Sequence, residues 1–196
     1  MAKSVQSVLK KQYAEFVAFR RALSEESDRG CALFAAAYLD AALEGLFRCS
    51  VLEGKKIDVE LFEGSAPLAT FSGRIRLAYY LGKISAEFRA DLETIRKIRN
   101  EFAHDASLLS FETQSIADRC RNLGFSFHEP SARPRAHFTS AASGLVATIH
   151  ALTVQAERPT PKSDDRPTDK DKMEARKRAE AAVEEALNAC EEKPAQ

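Results

Sequence analysis

The chain has 196 residues, of which 44% are hydrophobic and 30% are charged, and its 29 basic and 29 acidic side chains give a formal net charge of +0. This length suits one domain with an appendage. The balanced charge excludes a global field that would draw the chain to nucleic acid or to a membrane surface, so any such binding has to come from a local patch.

Four cysteines, Cys31, Cys49, Cys120 and Cys190, lie far apart and form no Cys-x-x-Cys pair, and the N-terminus lacks the apolar segment of a secretory signal. We therefore expect reduced thiols and a cytoplasmic location. The histidines show no metal-ligand spacing, so we expect neither a metal nor another cofactor. No apolar run approaches the ~20 residues of a membrane-spanning helix, so we expect no membrane association.

The first two predicted elements are amphipathic and core helices. Residues 5–23 carry apolar side chains at helical steps, namely Val5, Val8, Leu9, Phe16, Phe19 and Leu23. The next segment, from Cys31 onwards, is the most apolar of the chain, and either Ser24 or Ser27 can cap it. Its alanines favour helix formation and let a neighbouring helix approach closely, so we predict that it is the central core helix.

Two carboxylates interrupt this predicted core helix. Asp40 and Glu44 lie one turn apart on the same face. One interpretation places them on a solvent-exposed polar edge. The alternative is that one of them accepts a hydrogen bond from Arg99, which would need such a partner if it were partly buried.

Residues 53–67 contain two glycines and a proline around a short apolar segment, which predicts a connector with one helical turn inside it. Residues 68–81 read as a further helix, and Gly82 is placed to end it. Only a tight turn remains before Ser85, so this helix and the next one should pack antiparallel.

The most informative stretch is the helix predicted over residues 85–105, with Ser85 as its N-cap. Its apolar stripe consists of Phe88, Leu92, Ile95, Ile98 and Phe102. Arg99 borders this stripe, and Asn100 and His104 follow at about 100° and about 140° around the helix axis. One interpretation is a helix C-terminus where cationic side chains complement the dipole. The other is a functional site.

Beyond this stretch we predict a shorter helix, capped at Ser110 and stopped at Gly124, and a last core helix over residues 139–157. Residues 125–138 between them mix aromatics, prolines and basic residues and are interpreted as a packed loop. Its basic side chains Arg133, Arg135 and His137 could also touch a ligand phosphate. No segment alternates with the period of a strand, so the predicted class is all-α.

The composition changes at Arg158, where prolines and dense charge begin. Such a segment buries too little apolar surface to offset its ordering entropy, so we predict a flexible linker. A helix with a narrow apolar stripe of Val183, Leu187 and Cys190 should follow, either solvated or docked on a partner or a second copy. The predicted domains are therefore residues 1–157 and a charged tail, residues 158–196.

Two blocks carry a resemblance to a known family. The segment from Ser65 to Asp105, with PLATFSGRIRLAYYLGKIS followed by RKIRNEFAHD, resembles bacterial proteins of the mannitol operon repressor family, MtlR. The segment SDRGCALFAAAYLDAALEGLF resembles the same family. The resemblance spans roughly residues 20 to 125 and implies a self-associating helical bundle that represses sugar-alcohol uptake genes.

The pattern Arg99, Asn100 and His104 also resembles the R-N-x-x-x-H signature of the HEPN superfamily, whose antiparallel helical bundles pair Arg and His at a dimer interface. In its nuclease members this pair cleaves RNA without metal. The resemblance implies that His104 would transfer a proton, Arg99 would hold the scissile phosphate and Asn100 would orient one of them. Candidate supporting residues are Asp40, Glu44, Arg96 and Asp105.

The sequence therefore supports two alternative functions. The first is a regulator that represses through protein contacts, because the sequence shows no basic recognition helix and direct DNA binding is doubtful. The alternative is a HEPN-type endoribonuclease with an RNA groove. The basic residues available for that groove are Arg74, Arg76, Arg89, Arg96 and Lys97. These side chains can equally form a solvated helical face. In either case we expect a homodimer.

Overall fold

The computed structural model describes residues 2–105, 108–162 and 165–191, and the side chains of residues 13–105, 108–162 and 165–186. The described residues form eight α-helices and no strand, which confirms the all-α prediction. The helices are α1 (Ala2–Glu25), α2 (Asp28–Ser50), α3 (Lys55–Phe62), α4 (Phe71–Tyr80), α5 (Ala86–His104), α6 (Gln114–Arg121), α7 (Pro134–Gln155) and α8 (Asp169–Glu191).

Helix α2 is the centre of the core, as predicted. The Ser27 side chain caps it by accepting a hydrogen bond from the Gly30 N–H at 3.0 Å, which decides between the two candidate caps. Its buried face combines small and large side chains and contacts α1, α4, α5 and α7. The buried residues are Cys31, Ala32, Ala35, Ala36, Leu39, Leu43, Leu46 and Phe47.

The expectation that no segment is long and apolar enough to cross a membrane is wrong for α2. This 23-residue helix reaches a mean hydropathy of 1.4 over an 18-residue window. The many alanines raise the mean hydropathy without forming a run of large apolar residues. Of this window, 44% is buried inside the bundle. A core helix can meet the same length and hydropathy criterion as a membrane-spanning helix, and α2 is a core helix.

Helices α4 and α5 are joined by the predicted tight turn and pack against each other. Gly82 takes a left-handed backbone conformation, with φ of 66°. Its N–H donates to the Tyr79 carbonyl, and the Lys83 N–H donates to the Ala78 carbonyl, both at 2.9 Å. This Schellman arrangement ends α4 and requires the residue at position 82 to tolerate positive φ.

Four of the sequence predictions for these elements are wrong. Residues 53–67 contain the two-turn helix α3 rather than a single turn, and α4 begins at Phe71, where Thr70 caps it. Helix α6 begins after Thr113, not after Ser110. Helix α7 begins at Pro134, within the predicted loop, because a proline at the first helical position loses no intrahelical hydrogen bond.

The chain divides into two compact units, residues 1–159 and 160–196. The first unit contains α1 to α7 and the hydrophobic core. The second contains α8, whose described side chains are all exposed, including the predicted stripe residue Val183. The side chains of Leu187 and Cys190 lie outside the described residues, as do those of Val5, Val8 and Leu9.

Candidate functional site

The candidate site lies on the C-terminal half of α5. The Ser85 side chain accepts a hydrogen bond from the Phe88 N–H at 3.2 Å, and the predicted apolar stripe of the helix is buried. Arg99 and Asn100 are half-buried beside this stripe, and His104 is exposed in the last turn. Within the described part of the chain, none of these three side chains has a hydrogen-bond or ion-pair partner.

The C-terminus of α5 is held to the start of α2. The Asp105 N–H donates to the Glu101 carbonyl at 3.1 Å, and the Asp105 carbonyl accepts a hydrogen bond from the Arg29 guanidinium at 2.8 Å. Glu101 also pairs with Arg119 of α6. These contacts fix the last turn of α5, so Asp105, predicted as a supporting residue, positions the end of the helix that carries His104.

Asp40 and Glu44 do not accept from Arg99, because their partner is Arg74 of α4. The Arg74 guanidinium binds Asp40 with one nitrogen and Glu44 with the other, the latter at 2.5 Å. The Arg74 side chain is only 7% exposed, and both carboxylates are 30% exposed. The two carboxylates therefore neutralise a buried cation, and their predicted supporting role beside Arg99 is wrong.

Arg48 extends this ion-pair network towards α3. It contacts Glu44 at 2.9 Å and Asp58 at 2.5 Å, and its guanidinium lies 4.3 Å from the centre of the Phe62 ring. The hydrogen bond to Glu44 is the main cause that raises the pKa of Arg48 above its ordinary value. The network thus ties α2, α3 and α4 together.

Most of the basic side chains predicted to line an RNA groove already contact another side chain of the protein. Arg74 is buried in its ion pairs, Arg96 binds Glu93 at 2.8 Å, and Arg89 lies 4.9 Å from the centre of the Tyr79 ring. Arg76 and Lys97 are exposed. This distribution favours the solvated helical face over a continuous basic groove.

The basic residues of the predicted loop have structural roles. Arg135 binds the Asp28 carboxylate at 2.7 Å and also donates to the backbone carbonyls of Leu23 and Glu26. His137 is 2% exposed, and its Nδ1 lies 2.9 Å from the Ser126 hydroxyl oxygen. The Arg135 guanidinium is occupied, and the His137 Nε2, which has no hydrogen-bond partner within the described residues, is buried away from any phosphate in solvent. Of the three side chains, only Arg133 is exposed.

An arginine and a histidine without protein partners on one helix can bind an anionic or carbonyl-rich surface, or can hold a phosphate while a proton is transferred. Across residues 2–105, 108–162 and 165–191, no group of three His, Cys, Asp or Glu side chains could hold a metal ion. The Arg99 and His104 side chains of α5 can supply hydrogen bonding, charge stabilisation and proton transfer.

Among the residues that the structure describes, the fold is an all-helical bundle, and α5 carries a polar face whose side chains have no partner there. The sequence profile of the mannitol repressor family, MtlR, matches residues 35–158, which is more than half of the chain. The chain therefore belongs to the MtlR family, as the sequence resemblance indicated.

A chain in the X-ray structure of the MtlR–HPr complex from Escherichia coli has the same fold. It is 22% identical, and the alignment covers 68% of this chain and 99% of that chain with a TM-score of 0.58. Comparison with curated proteins finds no significant match.

Proposed function

We propose that this protein is a transcriptional regulator of a mannitol operon that acts in the cytoplasm through protein contacts. The observation that carries the proposal is the family match, which extends from α2 to the end of α7 and so includes most of the first unit. Because the structurally similar chain comes from an MtlR–HPr complex, HPr is the partner we propose for this chain as well.

The contact surface we propose is the polar face of α5, formed by Arg99, Asn100 and His104. Two observations support it. These side chains have no partners within the described residues, although neighbouring Arg74 and Arg96 are paired. In addition, Arg29 fixes the end of α5, so the backbone of this face loses little entropy on binding. Arginine is also enriched at the centres of protein interfaces.

Calorimetric titration of the full chain with HPr tests this proposal. We expect binding that weakens about tenfold or more in Arg99→Ala, since one charge-assisted hydrogen bond contributes about 1.5–3 kcal/mol. Arg76→Ala is the matched control, because Arg76 is exposed on α4 and outside the α5 face. Equal binding by Arg99→Ala, His104→Ala and the wild type would place the contact elsewhere, and no binding would reject HPr as the partner.

We also propose that the protein is a homodimer, because closed two-fold dimers are the commonest soluble oligomers and the resemblance to the MtlR family implies self-association. Light scattering after size-exclusion chromatography measures the mass directly. A monomer at micromolar concentration would contradict this part of the proposal.

The second candidate function is a HEPN-type endoribonuclease, which the unpaired state of Arg99 and His104 favours. In this proposal the RNA supplies its own 2′-hydroxyl nucleophile. His104 moves a proton to or from the reacting oxygens, and Arg99 offsets the charge that develops on the phosphate.

Incubation of the purified protein with labelled RNA in EDTA separates the two functions. Cleavage that disappears in both Arg99→Ala and His104→Ala but persists in Arg76→Ala would establish the ribonuclease. Absence of cleavage by a protein that still binds HPr would leave the α5 face as an interaction surface.

A further inference from the structure

A cavity of about 270 Å³ lies between α1, α2 and α7, away from the α5 face. Its floor is formed by Ala41, Ala42 and Gly45 of α2. This volume is close to the lower end of the ~300–1,000 Å³ of typical ligand pockets, and one side of the cavity is open to solvent. The size is that of a small metabolite rather than of a peptide.

Gly45 is the residue that keeps this cavity open. It lies in the interior of α2, where glycine weakens a helix relative to alanine. A Cβ built at Gly45 would meet no atom within 4 Å, so close packing does not require glycine there. The space that a side chain would occupy is part of the cavity.

Polar side chains from all three helices border the cavity: Glu15, Tyr38, His150 and Thr153. The Tyr38 ring packs against the Phe19 ring, with 4.3 Å between the two ring centres. The centre of the Tyr38 ring lies 6.2 Å from the centre of the His150 ring. Within the described part of the chain, neither the Tyr38 hydroxyl nor the His150 ring has a hydrogen-bond partner. Both polar groups are therefore available to a ligand.

Burial sets the protonation of these two groups. It raises the pKa of Tyr38, and the Glu15 carboxylate raises it further. Burial lowers the pKa of His150 against the opposing effect of Glu15. At neutral pH the cavity thus presents a neutral hydroxyl and a neutral imidazole, each able to donate and to accept, beside one carboxylate.

We propose that this cavity binds a small linear polyol, of the class of the sugar alcohols. The inference deepens the proposed function, on which it rests, by assigning the regulator a site for the sugar alcohol itself. The Glu15 carboxylate accepts hydrogen bonds from hydroxyl groups of the ligand, and Tyr38 and His150 bind further hydroxyls. The Thr153 hydroxyl donates to the Ile149 carbonyl at 2.8 Å and accepts from the ligand.

The apolar part of the cavity fits the same ligand. The C–H groups of a polyol pack against the alanines of the floor and against the fixed Tyr38 ring, while its hydroxyls point to the polar border. The exposed Glu15 carboxylate that borders the cavity repels sugar phosphates and other anions. The site therefore selects the neutral, unphosphorylated form of a sugar alcohol.

Calorimetric titration of the full chain with D-mannitol tests the inference, with choline as the comparison ligand. We expect mannitol to bind, and Gly45→Leu and Glu15→Gln to weaken that binding at least about tenfold. Ala147→Leu is the matched control, because Ala147 is exposed on α7 and does not border the cavity. It should bind mannitol as the wild type does.

The titration with HPr separates this inference from the proposed function. A chain that binds HPr but not mannitol would overturn the polyol site and leave the regulator intact, and preferential binding of choline would overturn it as well. Retained HPr binding and helical circular dichroism show that Gly45→Leu is folded. If Gly45→Leu does not fold, Glu15→Gln and the smaller substitution Gly45→Ala test the polyol site instead. Mannitol binding that Glu15→Gln leaves unchanged would contradict the proposal.

Discussion

Arg74 is a cation almost completely buried in the bundle, and its environment explains how the fold tolerates it. A buried charge is costly unless it is paired. Asp40 and Glu44, one turn apart on α2, each bind one terminal nitrogen of its guanidinium. Its Nε is buried and has no hydrogen-bond partner within the described residues, so the two terminal ion pairs carry the stabilisation.

Replacing Arg74 by methionine should destabilise the bundle by about 2–3 kcal/mol, because the partly buried Asp40 carboxylate would lose its cation and Glu44 would keep only Arg48. Arg76→Met, on the exposed side of the same helix, should change stability by no more than about 0.5 kcal/mol. Urea denaturation followed by circular dichroism measures both. Equal effects of the two substitutions would show that the ion pairs contribute nothing.

Two buried thiols predict a dependence of stability on pH. Burial raises the pKa of Cys31 to about 11 and that of Cys120 to about 12, whereas an exposed thiol has a value of 9.0. Above pH 9 the unfolded chain loses these protons while the folded chain keeps them. Stability from this source is therefore complete below pH 9 and is lost as the pH rises towards 11 and 12.

Comparison of the wild type with Cys31→Ala isolates one of these thiols. Between pH 8 and 10.5 the wild type should lose roughly 1–2 kcal/mol more unfolding free energy than the variant, because each unit of pKa difference corresponds to about 1.4 kcal/mol. The measurement is urea denaturation at both pH values. An identical loss in both proteins would show that Cys31 is not desolvated.

At the level of the helices, replacing each of two glycines by alanine should change the stability of the protein in opposite directions. Gly45 has open space and a helical backbone, so Gly45→Ala should stabilise the protein by about 0.5–1 kcal/mol. Gly82 ends α4 at a φ of 66°, so Gly82→Ala should destabilise it by about 1 kcal/mol. Thermal unfolding of both variants tests the pair, and a change of the same sign would refute this explanation.

Local signals predicted α5 and its cap, because Ser85 and the apolar stripe specify the same helix. They could not reveal the partner of Asp40 and Glu44, which lies at least 30 residues away in sequence. The sequence nevertheless contained one indication that Arg74 is this partner. Arg74 lies three residues after Phe71 and four before Ala78, both buried, so helical spacing places it on the core face. The cavity depends on three helices meeting, which no local pattern encodes.

At the level of the whole molecule, the first unit contains all the buried hydrophobic residues of the described chain. We therefore expect residues 1–159 to unfold at the same temperature as the full chain, within about 2 °C, since 1 kcal/mol shifts the midpoint of a domain of this size by roughly 2–4 °C. Differential scanning calorimetry of both proteins measures this. A clearly lower midpoint for residues 1–159 would show that α8 stabilises the bundle.

We propose that this MtlR-family protein represses through protein contacts made by the α5 face. The most direct test is a mannitol-operon reporter in cells that express the wild type, the double variant Arg99→Ala/His104→Ala or the control Arg76→Ala at equal levels. The account predicts low reporter expression with the wild type and the control, and release of repression with the double variant. Full repression by the double variant, or no repression by the folded wild type, would contradict it.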